Sequence, residues 1–281
     1  MLSNLSVPML GVVDTAVMGH LFSPHYLGAV ALGSMVTGVR YVVFGFLRME
    51  TTAPGAQAFG AGDRLELRAT LGRGLLVAGC IGLAVLLAGP VVVAASARLL
   101  APSPEIPSEF RLYVGIRLLG APAALVNFVV LGWILGLQDS RRPLVLMPGT
   151  NGIDTVLAIA FVFGLGFHTA GVALATVIAE CAGLLLGFVL IRREWQAQGG
   201  RPDWGSLMVP ARFRRLLVAN RDLFLRSPMP ESAFLALTTP DARQGALALA
   251  VDAVLLHISS PWPLMVSTAA RMPPKPWSAA R

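Results

Sequence analysis

Long apolar runs separated by short polar segments dominate the chain: residues 2–20, 26–47, 73–97, 111–136, 143–166 and 169–191 are each rich in Leu, Val, Ala and Gly. A helix needs about 20 such residues to cross a bilayer, so the pattern predicts six spans. Pro8, Pro90, Pro122 and Pro148 fall inside them. Proline is tolerated there because neighbouring helices can satisfy the backbone groups it frees. The polar segments alternate in charge. Those after the second, fourth and sixth runs hold Arg48, Arg64, Arg68 and Arg73, then Arg141 and Arg142, then Arg192, Arg193, Arg201, Arg212, Arg214 and Arg215. The intervening segments are Leu21 to Tyr26 without arginine, a proline-rich loop flanked by Arg98 and Arg111, and Gly166 to Thr169. A missed span would scramble this alternation. By the positive-inside rule the arginine-rich side is cytoplasmic, which starts the N-terminus there.

Beyond the sixth run the pattern decays. Residues 192–226 form the longest polar stretch, with Gly199, Gly200, Pro202 and Pro210 among the arginines, and read as a cytoplasmic linker with an amphipathic surface segment. Residues 228–281 hold eight of the 20 prolines and no clean apolar run of spanning length. The expected organisation is an all-α, polytopic membrane protein: a six-helix transmembrane bundle over 1–191, a linker over 192–226, and the incomplete start of a second lobe over 227–281.

Composition agrees. The chain of 281 residues is 55% hydrophobic and 13% charged, with a mean hydropathy of +0.70, far from the roughly 25% charged residues of a soluble domain. The net charge of +7 follows from the arginine-rich loops, and no nucleic-acid-reading motif accompanies it. Cys80 and Cys181 lie about 100 residues apart in apolar runs, which supports neither a metal nor a redox site. The start, Met1 to Ser6, has no basic region and Asp14 interrupts the apolar stretch after it, so the spans themselves are expected to direct insertion. Gly60 to Asp63 lacks the Lys-Ser/Thr of a phosphate cradle, and neither Gly-x-Ser-x-Gly nor His-Glu-x-x-His occurs. ATP-driven transport by this chain alone and motif-built hydrolysis are thereby excluded.

Polar groups at bilayer depth are costly and mark functional cavities. Asp14, mid-way through the first run with no Lys or Arg one turn away, is the sharpest candidate. A lone carboxylate there suits a group that takes up a proton or binds a cation; the competing reading is a protonated acid hydrogen-bonded to a neighbouring helix. Asn151 and Asp154, three residues apart in the fifth run, share one helical face and make a second polar patch. Asn127 in the fourth run and Thr176 and Glu180 in the sixth can join the same cavity. Equally, Thr176 can bond its own backbone and Glu180 can lie near an interface. Arg40 and Arg117 are expected to snorkel or to pair with a carboxylate rather than touch substrate. His20, His25 and His168 fall at run ends and read as surface residues.

These residues resemble a family, the multidrug and toxic compound extrusion (MATE) transporters, in the DinF branch. The matching segments are Val7-Pro8-Met9-Leu10-Gly11 through Val13-Asp14-Thr15 to His20-Leu21, Phe46-Leu47-Arg48-Met49 with Thr51-Thr52, and Ala56 to Ala61. They continue with Gly136-Leu137-Gln138-Asp139-Ser140-Arg141-Arg142-Pro143, Gly164-Leu165-Gly166 and Gly171 to Glu180. Together they cover residues 3 to about 226 in order. The resemblance implies two six-helix lobes rocking about a central cleft in a bacterial inner membrane, exchanging H+ or Na+ for amphipathic, often cationic small molecules, with no cofactor and no enzymatic activity. It implies that Asp14 is the first-helix carboxylate of the coupling-ion site. In the fifth helix the family usually shows Asn-x-x-x-Asp, and those positions here are Asp154 and Ala158, so the carboxylate has moved one turn toward Asn151.

Leu247 to His257 still resembles the start of the family's eighth helix, but Met265 to Arg281 does not. Back-translated and read two bases later, that tail can give a family-like helix end, so a frameshift just after His257 is expected. A chain without its second lobe is expected to be inactive or impaired. The competing readings are a non-transporting remnant and a lipid-linked oligosaccharide flippase of the same superfamily.

Overall fold

The computed structural model describes residues 24–100 and 107–197. The first expected span with Asp14 and His20, the side chains of His25 and Arg40, and everything expected of 198–281 lie outside the described residues. Among the described residues every element is helical: α1 (Pro24–Phe44), α2 (Phe46–Gly60), α3 (Arg64–Leu100), α4 (Pro107–Leu119), α5 (Ala121–Gly136), α6 (Arg141–Ile159), a π-helical turn (Ala160–Gly164) and α7 (His168–Ala197).

Three stretches, Arg64–Arg98, Arg141–Gly164 and His168–Arg192, are each long and apolar enough to cross a membrane. Ser108–Leu119 and Ala121–Gly136, bent by 46° at Gly120, qualify together as a broken fourth. The expected span 26–47 begins as α1, whose apolar core Gly28–Val39 is short, and continues after Gly45 as α2. Two boundaries therefore move. The polar segment expected after residue 47 is mostly helix, and α3 starts at Arg64 rather than 73. Arg68 and Arg73, read as loop arginines, are buried inside α3, where Arg68 stacks over Trp195 at 4.5 Å and Arg73 pairs with Glu66. Helix α7 likewise runs to Ala197, into the expected linker.

The turn between α2 and α3 is made by Gly62 at φ +67°, a left-handed conformation natural to glycine. Asp63 then caps α3, its Oδ1 accepting from the Glu66 N–H at 3.0 Å. At the head of α6, Asp139 Oδ1 accepts from the N–H groups of Arg141 (2.8 Å) and Arg142 (3.2 Å), and Arg142 reaches on to Glu194 in α7 at 2.8 Å. Slight burial works to raise the Asp139 pKa, but these two donors and both arginine charges outweigh it and hold the carboxyl below its usual range. A lowered folded value means that this cap supports the fold at neutral pH and loosens as pH falls through the carboxylate range.

Two apolar clusters form the interior. One joins α1, α4 and the start of α7 through Leu32, Phe110, Val114 and Val172. The other joins α2, α3, α5 and the end of α7 through Leu71, Leu125, Trp133 and Ile191. Trp133 is fully buried and satisfies its indole N–H on the Leu67 carbonyl at 3.0 Å. Outward, Leu87, Val91, Leu185 and Val189 are each more than 65% exposed, as befits a surface solvated by lipid tails rather than water. Helices α2 and α5 approach backbone to backbone, because a Cβ added at Gly132 would collide with the Arg48 carbonyl. Small residues at such crossings are how membrane helices pack closely. Gly132→Val is therefore expected to force α2 and α5 apart at a cost of about 1–3 kcal/mol, read as a lowered unfolding temperature in detergent. Gly38→Val, where an added Cβ meets nothing within 4 Å, is expected to leave it unchanged.

Candidate functional site

Between the two apolar clusters the chain places charge. Arg117, in the last turn of α4, is 7% exposed and donates through Nη1 to Glu180 Oε1 of α7 at 3.1 Å, Glu180 being 6% exposed. The break in the span makes this meeting possible. Helix α4 ends at Leu119, Gly120 carries the bend, and α5 restarts with Pro122 in its first turn, where the missing N–H costs no hydrogen bond. A Cβ on Gly120 would strike Glu180 Oε2 and crowd Val177. The glycine thus lets the Glu180 carboxylate sit against the N-terminal end of α5, whose backbone dipole favours negative charge.

Asn127, two turns into α5, donates through Nδ2 to the Glu180 carbonyl at 2.8 Å, while its Oδ1 has no donor among the described residues. Asp154 of α6 is 2% exposed and lies within electrostatic reach of Arg117, Glu180 and the Thr176 hydroxyl. Thr176, one turn before Glu180 on the same face of α7, donates to the Val172 carbonyl at 3.1 Å. The same hydroxyl faces the Asp154 carboxylate, which has no ion-pair partner of its own among the described residues. With both carboxylates ionised the cluster carries one positive and two negative charges, a net −1. One bound monovalent cation or one proton brings it to neutrality.

The sequence-expected residues are thus partly brought together. Asp154, Asn127 and Thr176 converge with Glu180 and Arg117 from α4, α5, α6 and α7. Asn151, on the same helix as Asp154, is only half-buried, so the shared face that the spacing predicts leads to two different depths. Thr176 bonds its own backbone, as one reading had it, and still faces Asp154. Glu180 is buried among the helices. Arg117 does pair with a carboxylate, although which one was not legible: an Arg and a Glu 63 residues apart in two apolar runs are a signal only once one asks what could neutralise each. His168 is exposed and stacks on Tyr26 at 4.8 Å. Among the described residues no three His, Cys, Asp or Glu side chains cluster as a resident metal site.

A helical membrane bundle with a broken span and a buried charged cluster is the architecture of a transporter lobe. The MatE family model matches residues 1–159, and the chain belongs to that family, whose members are transporters and not enzymes. DNA damage-inducible protein F of Escherichia coli (strain K12) is 41% identical over 256 residues, which cover 91% of this chain and 56% of that protein. A probable multidrug resistance protein NorM of Thermotoga maritima is 29% identical over 214 residues, covering 72% of this chain and 45% of its own length. A solved MATE protein in the straight conformation superposes with a TM-score of 0.77 at 20% identity, over 96% of this chain and 60% of that one. The chain thus spans about half the length of the curated relatives it matches.

Truncating one partner of a buried ion pair strands the other charge, at a cost of about 3–5 kcal/mol. Arg117→Met is expected to destabilise the lobe by that order, and Arg117→Met with Glu180→Gln to recover most of the loss. Thermal unfolding of the four proteins in one detergent, taken as a double-mutant cycle, checks it.

Proposed function

We propose that this chain supplies the first lobe of a cation-coupled multidrug antiporter of the inner membrane, with its arginine-rich ends on the cytoplasmic side. The observation that carries the reading is Asp154: a carboxylate 2% exposed inside a span, with no ion-pair partner of its own among the described residues and beside an Arg117 already paired with Glu180. A buried anion left in that state is an acceptor for a coupling ion, H+ or Na+. Asp14, the carboxylate that the family resemblance assigns to the same task, is its partner in this reading. Ion uptake neutralises the cluster and so favours the conformation in which α4, α5, α6 and α7 close around it; ion release disfavours it. A conformational equilibrium moves only as far as the ion's affinities for the two states differ. The exported class in this reading is amphipathic, often cationic small molecules, as the family resemblance implies; the Thermotoga relative carries the name of a probable multidrug resistance protein.

An alternating-access cleft needs two lobes. The test therefore supplies the second one, fused from the Escherichia coli relative after residue 226, in cells lacking their own drug pumps. The fusion is expected to export a cationic dye, and Asp154→Asn to abolish export at unchanged protein level. Export by Asp154→Asn at the parent rate would contradict the role of this carboxylate, and a well-expressed fusion that exports nothing would overturn the transport reading.

A further inference from the structure

Helices α3 and α4 are joined by a short connection between Leu100 and Pro107, so the end of one lies beside the start of the other. Arg98, in the last turn of α3, and Arg111, in the second turn of α4, are both exposed. Among the described residues neither has a hydrogen-bond or ion-pair partner, and the acid nearest in sequence to Arg111, Glu109, pairs with neither. Below them runs a groove of about 570 Å³ between the two helices, walled by Leu86, Pro90 and Val93 of α3 and by Leu118 of α4. Its floor is open at Gly115, where an added Cβ would meet nothing within 4 Å. The flanking surface is greasy, with Leu87 and Val91 exposed on α3 and Leu112 and Leu119 on α4.

Charge and length choose the occupant. Among the described residues the two guanidinium groups have no paired carboxylate, and each offers a planar fork of N–H donors suited to phosphate oxygens. From Arg98 to Leu86 is twelve residues of one helix, about 18 Å at 1.5 Å per residue, close to the roughly 15 Å depth of one leaflet's hydrocarbon. A site cationic at the interface and apolar over one leaflet complements an anionic amphiphile lying parallel to the helices. A second protein copy would have to bring both an acid and a long apolar ridge to the same narrow slot.

We propose that the α3–α4 groove binds an anionic diacyl phospholipid, its phosphate held by Arg98 and Arg111 and one acyl chain lying over Gly115 along Leu86, Pro90 and Leu118. This site is distinct from the Asp154 cluster and stands whether or not the lobe transports anything. The lipid ties the end of α3 to the start of α4, the helix whose other end carries Arg117.

The test is native mass spectrometry of the purified full chain released from detergent, titrated with phosphatidylglycerol or phosphatidylcholine of identical acyl chains. Phosphatidylglycerol is expected to bind more tightly, with about 5-fold of that preference lost for each arginine removed and none left in Arg98→Gln/Arg111→Gln. Gly115→Leu is expected to fill the groove and weaken both lipids alike. Unfolding temperatures in phosphatidylcholine nanodiscs, unchanged by these exposed substitutions, show that the variants fold. Inorganic phosphate at millimolar concentration is expected to displace little lipid; full displacement would assign the arginines to free phosphate and overturn the proposal. A phosphatidylglycerol preference that survives loss of both arginines, or a groove closed by dimerisation in every lipid, would overturn it as well.

Discussion

A buried ion pair organises the described lobe. Arg117 and Glu180, each less than a tenth exposed, sit in two different spans, and neither charge is tolerable there alone. Their meeting fixes the distance between α4 and α7. It demands a glycine at the bend, because Gly120 is where the carboxylate approaches the backbone, and it rewards the break in the span, because a restarted α5 turns its N-terminal dipole toward Glu180. Asn127 then holds the α7 backbone from the other side. Asp154 faces this network from α6 without an ion-pair partner of its own among the described residues, and a buried charge left in that position is where function is to be sought.

The two apolar clusters do a different task. They anchor the ends of the bundle, through Phe110 and Val114 at one end and Trp133 and Ile134 at the other. The charged cluster is thereby left to the layer between them. A bundle that is firm at both ends and charged between can alter its charge state without losing its fold, and small rearrangements at the bend or the π-helical turn can follow. Breaks of this kind occur in membrane helices where they border a protein interior, since lipid would leave the freed backbone groups unpaired.

The periodic apolar runs made the helical membrane class legible, because about 20 apolar residues in succession admit few other readings. Helix ends were less so. Arg68 and Arg73 look like loop residues because arginine usually stays in water, yet Trp195 and Glu66 give them a buried place that lies far off in sequence or one to two turns away. The bend at Gly120 is invisible in composition, since Gly120 and Pro122 could each have been accommodated in a straight helix. For the site, spacing joined Asp154 to Asn151, which share a helix, whereas the packing joins Asp154 to Thr176, Glu180 and Arg117. Tertiary proximity between charges on separate spans has no periodic signature, and only the need to neutralise each buried charge pointed toward it.

The central claim is the proposal that Asp154, and not Glu180, is the carboxylate of this cluster that takes up the coupling ion, and a carboxylate that can do so is one that also takes up a proton on acidification. Infrared difference spectroscopy of the reconstituted chain during acidification, in an Asp14→Asn background, reads this directly from the carbonyl stretch of a protonated carboxyl group. The account predicts, beside the signal of the exposed carboxyls, one component in that region that is lost in Asp154→Asn and kept in Glu180→Gln. A component that is kept in Asp154→Asn and lost in Glu180→Gln would contradict it.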